Sequence, residues 1–378
     1  MENNKIRIAI IAGQLVVGGA ERQLYLWLSN LDRSRFSPIV LTLHPGHGDY
    51  WEKPIEDLDI PLYRIPSHKN RIKRLQEMIK VIRQNNPHLI HGWHLFTSPY
   101  AGFSAKFLGV NSLGSLRVSF RKFYQNPIAA LLSLIVNDGI TVNSMAAASR
   151  LRKIKVNTKQ EIFVVQNAFV NNIIQYQSRE SLLDRCNITE KMTIIGSIGR
   201  LDKKKRFDLL LKTMAILNKD QGYHLVIIGD GPERASLVTL SEKLGISGHV
   251  TLMGEIANAE MWLKAFDIFA YTSLDEGMPN VIMEAAAAEL PIVTWRLPFF
   301  EELLIDEKSG LLVEPKNIEK MKEGIIRLVK SEELRRQLGK AARENILENF
   351  NLQRFLYNMT EAYETILVTS IKQANHQT

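Results

Sequence analysis

Two carboxylates flank a turn in the second half of the chain, in Thr272-Ser-Leu-Asp-Glu276-Gly277-Met278-Pro279-Asn280-Val-Ile-Met-Glu284. An ionised carboxylate accepts on both oxygens, which suits it to gripping vicinal hydroxyls. Two of them on either side of a Gly-Pro turn can read two sugars of one ligand, or a sugar and a ribose. Pro279 suits the first turn of a helix, where its missing N–H costs no hydrogen bond. Glu276 is then in the loop ahead of the helix and Glu284 within it. The plainer alternative is a helix-start acid and a surface glutamate.

A cationic run precedes them: Gly199-Arg200-Leu201-Asp202-Lys203-Lys204-Lys205-Arg206-Phe207-Asp208. It follows a β-branched segment and enters a helical one. Cations at a helix N-terminus oppose the helix dipole, so an anion between them makes better sense of the pattern. Arg200 can hold phosphate oxygens in a fork and Lys205 can act on them as a point charge. A solvated charge run is the alternative.

Glycine loops follow two other strand-like runs. Gly13-Gln-Leu-Val-Val-Gly18-Gly19-Ala20-Glu21 is not the G-x-G-x-x-G of dinucleotide sites, but it lets a ligand approach backbone at a helix start. Gly229-Asp230-Gly231-Pro232 permits a tight turn whose backbone could pass close to a nucleotide base. Two histidines, in His91-Gly92-Trp93-His94, follow another run, and His94 is preferred as the loop residue because His91 is expected to end its strand.

These loops need strands beneath them. Short β-branched runs without polar alternation read as strands buried on both faces, hence parallel sheets. In the first half they cover 6–12, 38–43, 61–65, 88–91, 139–142 and 161–165, with helices at 20–31, 71–83, 97–108 and 144–154. The second half restarts with strands at 192–198, 223–228, 249–253, 267–271, 291–294 and 310–313. Two such series in 378 residues predict two doubly wound α/β domains, 1–175 and 176–352, with a final helix at 353–372 and a disordered tail. Ligands of such folds bind beyond the carboxyl ends of the strands, where the loops above fall.

The single cysteine, Cys186, excludes an internal disulfide and fits a reducing compartment. No apolar run approaches the ~20 residues of a membrane span, and no leader pattern opens the chain, so a cytoplasmic location is expected. The net charge is +8. Its excess lies in residues 1–175, where Lys and Arg outnumber Asp and Glu roughly two to one. Helix 71–83 is expected to turn Ile72, Leu75, Met78, Ile79 and Ile82 inward and Arg71, Lys73, Arg74, Lys80 and Arg83 outward. With the segment Arg117–Tyr124, in which Arg121-Lys122-Phe123-Tyr124 pairs charge with aromatics, it would suit an anionic membrane surface. Nucleic acid fits the charge but none of the motifs.

Taken together these motifs resemble glycosyltransferase family 4, the retaining GT-B family, over nearly the whole chain. Gly18-Gly19-Ala20-Glu21, Gly199-Arg200-Leu201 with Lys205 and Asp208, Gly229-Asp230-Gly231-Pro232, Glu276 to Glu284, and Ser309-Gly310-Leu-Leu-Val313 with Pro315 are similar to its signatures. The resemblance implies two Rossmann-like domains facing a cleft, with the last helix crossing back onto the first. It implies Arg200 and Lys205 on the donor diphosphate, Glu276 on the transferred sugar, Glu284 on the ribose, and a histidine near the sugar's C6 hydroxyl. Asn143-Ser144 and Asn167 fall at its cleft loops. The family's Gly-Gly pair is replaced here by Pro298-Phe299, and Pro298 cannot donate an N–H. The family's Asn-Gly becomes Asn167-Ala168.

The expected activity is transfer of a sugar from a nucleotide-sugar, with UDP as the expected nucleotide, to a saccharide or lipid-linked acceptor in surface-polysaccharide synthesis. The resemblance implies retention of configuration; no metal cofactor is expected, because Arg200 and Lys205 would replace the divalent cation and no Asp-x-Asp pair is placed to hold one. The Asp57-Leu-Asp59 pair lies in a connector and reads as surface charge. Rivals are a soluble small acceptor, an isomerase or phosphorylase on the same fold, and a non-catalytic binding module.

Overall fold

A computed structural model describes residues 5–375, apart from residues 45, 47, 48, 69, 118, 155–159, 171–174 and 218–221. The chain forms two compact units, Met1–Ala168 with Leu352–Thr378, and Phe169–Asn351. It leaves the first unit at Ala168, where composition alone suggests 175.

The first unit carries a seven-stranded sheet of β1 (Ile6–Ala12), β2 (Phe36–Thr42), β3 (Leu62–Arg64), β4 (Leu89–Gly92), β5 (Asn111–Leu116), β6 (Gly139–Val142) and β7 (Glu161–Val164). The order is β3-β2-β1-β4-β5-β6-β7, and every pairing is parallel. Apolar runs are continuous because both faces are covered. Ile8 and Ile10 face one core with Trp27 and Phe36, while Ala9 and Ile11 face another with Met78 and Ala101. Strand order reverses between β1 and β4, which puts the loops after these two strands at the switch point where doubly wound sheets bind ligands.

The last helix, α15 (Leu352–Asn375), completes this unit. Phe355, Met359, Ala362, Tyr363 and Ile366 recur at helical spacing and are buried. The Tyr363 ring meets Trp27 edge-on at 5.6 Å and Phe36 at 6.2 Å.

Strand β5 escapes pattern reading because Asn-Ser-Leu-Gly-Ser-Leu is small and polar. Its smallness is a packing requirement. A side-chain carbon on Gly114 would lie 3.1 Å from Ser98 Cβ, at the start of α4 (Ser98–Leu108), and 2.7 Å from Ile140 Cδ1. The region after β5 also holds α5 (Phe120–Gln125) and α6 (Pro127–Val136), which the strand-and-helix reading leaves unassigned.

Two expectations for this unit's surface fail. In α3 (Arg71–Gln84), capped by Asn70, Met78 and Ile82 are buried, but Ile72 is 68% exposed and Arg74 only 8%. Arg74 turns inward because acceptors wait there: its guanidinium reaches His44 Nε2 at 3.0 Å and the His68 carbonyl at 2.6 Å. Phe123 is buried as well, leaving Tyr124 as the exposed aromatic of that pair. Among the described residues no helix is long and apolar enough to cross a membrane.

The second unit holds β8 (Thr193–Ile198), β9 (Tyr223–Ile228), β10 (Val250–Gly254), β11 (Ile268–Tyr271), β12 (Ile292–Trp295) and β13 (Leu311–Val313), again all parallel. The order is β10-β9-β8-β11-β12-β13, so its reversal falls between β8 and β11. The loops that leave those two strands carry Arg200, Lys205 and Glu276.

Candidate active site

In the second unit the switch-point loops are laced together. Thr272 Oγ1 donates to the carbonyls of Lys205 and Arg206, both at 3.0 Å, and Leu274 N donates to Lys204 O at 3.0 Å. From the next strand, Trp295 Nε1 donates to Thr272 O at 2.7 Å and Thr294 Oγ1 to Tyr271 O at 2.8 Å. The loops are therefore held before any ligand arrives, as preorganised electrostatic catalysis requires.

Lys205 and Glu276 meet at their centre. Lys205 Nζ lies 2.6 Å from Glu276 Oε1 and 2.5 Å from the Tyr271 hydroxyl, which donates to the same carboxylate oxygen at 3.0 Å. The two charged side chains are 13% and 10% exposed. Burial alone would raise the Glu276 pKa, but Lys205 and then Lys204 outweigh it and hold the carboxyl below its ordinary value. The Tyr271 phenol is pushed well above its ordinary range by burial and by Glu276. Sequence reasoning missed Tyr271; its one signal is its place as the last residue of the strand ahead of Glu276.

Arg206 is not part of this cluster. Its guanidinium is bidentate to Asp208, at 2.7 and 2.9 Å, which neutralises it beside α9 (Phe207–Leu217). Arg200 is exposed, and among the described residues its guanidinium has no hydrogen-bond or ion-pair partner.

Gly229 and Gly231 also have a packing role. A side-chain carbon at Gly229 (φ +142°) would stand 2.1 Å from Gly199 O, and one at Gly231 would stand 2.5 Å from Leu201 O. The two loops run against each other, joined by Gly199 N to Ile228 O and Leu201 N to Asp230 O, both at 2.9 Å. The glycines thus admit neighbouring backbone and so fix the arginine loop.

After Glu276 the chain passes through half-buried Gly277 and buried Met278 into α11 (Asn280–Ala287). Pro279 is the N-cap of this helix, one position earlier than expected. Glu284 is half-buried in α11, and its charge adds to the raising of the Tyr271 pKa. The Arg296–Phe300 stretch that replaces the glycine pair forms the short helix α12 (Pro298–Glu301), with Phe300 edge-on to Tyr271 at 5.9 Å.

In the first unit, Gly18 caps α1 (Gly19–Asn30). The Glu21 carboxylate folds over it, leaving only 2.1 Å for a side chain at that position. Glu21 Oε1 lies 3.4 Å from His94 Nε2, in the loop after β4. His91 belongs inside β4 and is fully buried, with Nδ1 2.8 Å from the Tyr363 hydroxyl and Nε2 2.7 Å from Ser115 Oγ. Burial, then Arg117 and His94, depress its pKa well below that of free histidine. Asn143, Ser144 and Asn167 are buried near the ends of β6 and β7, and Asn167 Oδ1 accepts from Arg117 Nη1 at 3.3 Å. Arg117, expected at a membrane surface with the rest of 117–124, is instead buried, 4.4 Å over the Trp93 ring, its pKa lowered to about 10 by burial. Asp57 of the Asp-x-Asp pair is bound in an ion pair to Lys53.

Residues 17–169 match the sequence family described as Glycosyltransferase Family 4, and residues 178–345 match Glycosyl transferases group 1. The chain is 26% identical over 356 residues to the Lipopolysaccharide core biosynthesis glycosyltransferase LpsE of Rhizobium meliloti, covering 93% of this chain and 96% of that one. Over 151 residues, 40% of this chain and 41% of the relative, it is 34% identical to the N-acetylgalactosamine-N,N'-diacetylbacillosaminyl-diphospho-undecaprenol 4-alpha-N-acetylgalactosaminyltransferase of Campylobacter jejuni. The structure of Anabaena HepE in complex with UDP and glucose superposes with a TM-score of 0.82 at 16% identity, over 95% of this chain and 100% of that one. Matched in both units and alike in fold from end to end, the chain belongs to glycosyltransferase family 4 and has the GT-B fold.

Proposed function

We propose that the protein moves a sugar from a UDP-sugar to a lipid-linked saccharide in bacterial surface-polysaccharide synthesis, with retained anomeric configuration and without a metal ion. The observation that carries this is the joining of Lys205, Glu276 and Tyr271 at the β8/β11 switch point, with Arg200 in the same loop as Lys205 and without a partner among the described residues. The relatives' names support the process: lipopolysaccharide core for one and a diphospho-undecaprenol acceptor for another. UDP is the nucleotide in the similar solved structure.

In this reading Arg200 and Lys205 take the diphosphate and stabilise the charge that develops as the bond to the anomeric carbon breaks. Glu276 binds hydroxyls of the transferred sugar and Glu284 those of the ribose. Gly277, Met278, Pro279 and Asn280 shape the turn under the sugar. The acceptor oxygen attacks from the leaving group's face, and its proton passes to the departing phosphate oxygen. His94 at the sugar is the role that family resemblance supplies. The same cations stand in for the divalent ion that other glycosyltransferases hold. The exposed basic residues of α3, Arg71, Lys73, Lys80 and Arg83, favour a peripheral place on the inner membrane face.

A panel of nucleotide-sugars, scored by nucleotide release with and without excess EDTA, tests the donor and the metal. Release from a UDP-sugar that persists in EDTA is expected. Loss of turnover in EDTA, restored by magnesium or manganese, would refute metal independence. An NMR spectrum of product showing the anomer opposite to the donor would refute retention.

A further inference from the structure

The first unit contains a pocket of about 560 Å³ between α3, α4 and α6, inside the roughly 300–1,000 Å³ range of small-molecule sites. Its walls are apolar, with Leu75, Phe96, Tyr100, Phe103 and Ile128 among them. Ile72 and Ile128 at its edge are 68% and 72% exposed, and Phe96 is 52% exposed. Large apolar side chains left in water around a concave apolar surface mark a binding site.

Its charge is one-sided. Arg71 and Arg74 both line it, and among the described residues neither has an ion-pair partner. Glu77, the only carboxylate in α3, is engaged by His68 at 2.7 Å. Arg74 is 8% exposed, yet among the described residues its Nε hydrogen has no acceptor, although Nη1 and Nη2 are satisfied by His44 and His68. A buried guanidinium with a free N–H and no countercharge calls for an anion. His44, which shares the pocket, is held toward its neutral form by burial and by Arg74, which leaves its Nε2 able to accept from the guanidinium.

The pocket also has a direction. It extends to Gly13, the residue after β1 at the first unit's switch point, where a side-chain carbon would lie 3.9 Å from His94 Cδ2. An apolar chain lying in it would therefore carry its head toward the loops in which a doubly wound sheet binds ligand. Bulk membrane lipid has no reason to reach that point.

We propose that this pocket receives the lipid end of the acceptor, an isoprenoid chain bearing phosphate, with Arg71 and Arg74 on the phosphate. The proposal rests on the lipid-linked acceptor reading above and says which residues would carry it.

Farnesyl diphosphate, titrated calorimetrically into the full chain with the donor site saturated by UDP, is the probe. Farnesyl diphosphate is expected to bind, with farnesol and inorganic diphosphate each weaker by on the order of tenfold or more. Ile128→Asp and Arg71→Ala, both at exposed positions, should each weaken it by on the order of tenfold while UDP affinity is unchanged. No binding to the wild type, or equal binding to the variants, would overturn the assignment. The underlying reading is tested apart from it: the wild type is offered one saccharide with and without a polyprenyl-diphosphate anchor. Equal turnover of the two would reject a lipid-linked acceptor whatever farnesyl diphosphate does.

Discussion

Replacing Lys205 by alanine separates what the Lys205–Glu276 pair does for the fold from what it does for the donor. Two opposite charges 2.6 Å apart, 13% and 10% exposed, attract by about 6 kcal/mol at an effective dielectric constant of 20. Desolvation of both groups offsets much of that, and removing one partner of such a pair typically costs about 3–5 kcal/mol. Here the stranded carboxylate keeps the Tyr271 hydroxyl at 3.0 Å and the more distant charge of Lys204, so the low end applies, about 3 kcal/mol. Glu276→Gln leaves a neutral acceptor beside Lys205 and should cost less. The double variant should recover about 2 kcal/mol relative to the sum of the singles. The pH dependence has a fixed sign. The Glu276 pKa is depressed in the folded state, so its stabilisation is present above its unfolded value and lost as pH falls through the folded one. In Lys205→Ala that depression is removed and protonation relieves the stranded charge, so the gap between wild type and variant should narrow from pH 7 to pH 4. Hydrogen exchange at β8 and β11 reads the second unit by itself, which a global melt of two units does not. Additive single variants, or a gap independent of pH, would show that the pair contributes nothing beyond its separate members.

Arg200→Ala should weaken UDP binding by about 1.5–3 kcal/mol, roughly 10- to 100-fold by calorimetry, and leave the melting temperature unchanged because the side chain is exposed and unpaired. Gly229→Ala should destabilise the second unit by about 3 kcal/mol, read by urea unfolding, because its new carbon would stand 2.1 Å from Gly199 O. His91 stays neutral in the folded state, so as pH drops below its ordinary 6.5 the unfolded chain takes a proton that the folded chain refuses. The first unit should then lose up to about 1.4 kcal/mol per pH unit, and His91→Gln should flatten that slope in hydrogen exchange at β4.

Legibility in the sequence followed the kind of residue involved. Strands β1, β8, β9 and β11 announce themselves because burial on both faces demands runs dominated by apolar residues. Strand β5 does not, because it lies where α4 packs so close that only small side chains fit, and smallness reads as loop. Arg200, Lys205 and Glu276 were visible as charges placed just after strands. Tyr271 and Arg117 were not, since one ends an apolar run and the other resembles any basic loop residue; only the fold brings them to their partners. The outward placement of Arg74 failed for a related reason. Helical spacing reports which side faces the core but not whether that side holds acceptors for a guanidinium.

The residues that complete the first unit's core are made only after the whole second unit. Trp27, Phe36 and His91 leave the ribosome long before Phe355 and Tyr363, which cover them in the finished protein. At about 5–20 residues per second, translation of Phe169–Asn351 takes on the order of ten seconds or more. Throughout that time the second unit can close over its own contiguous chain, while the first waits with aromatic surface uncovered. The nascent N-terminal half is thus a natural client for chaperones. A premature stop just before Leu352 would leave the second unit whole and the first permanently unfinished.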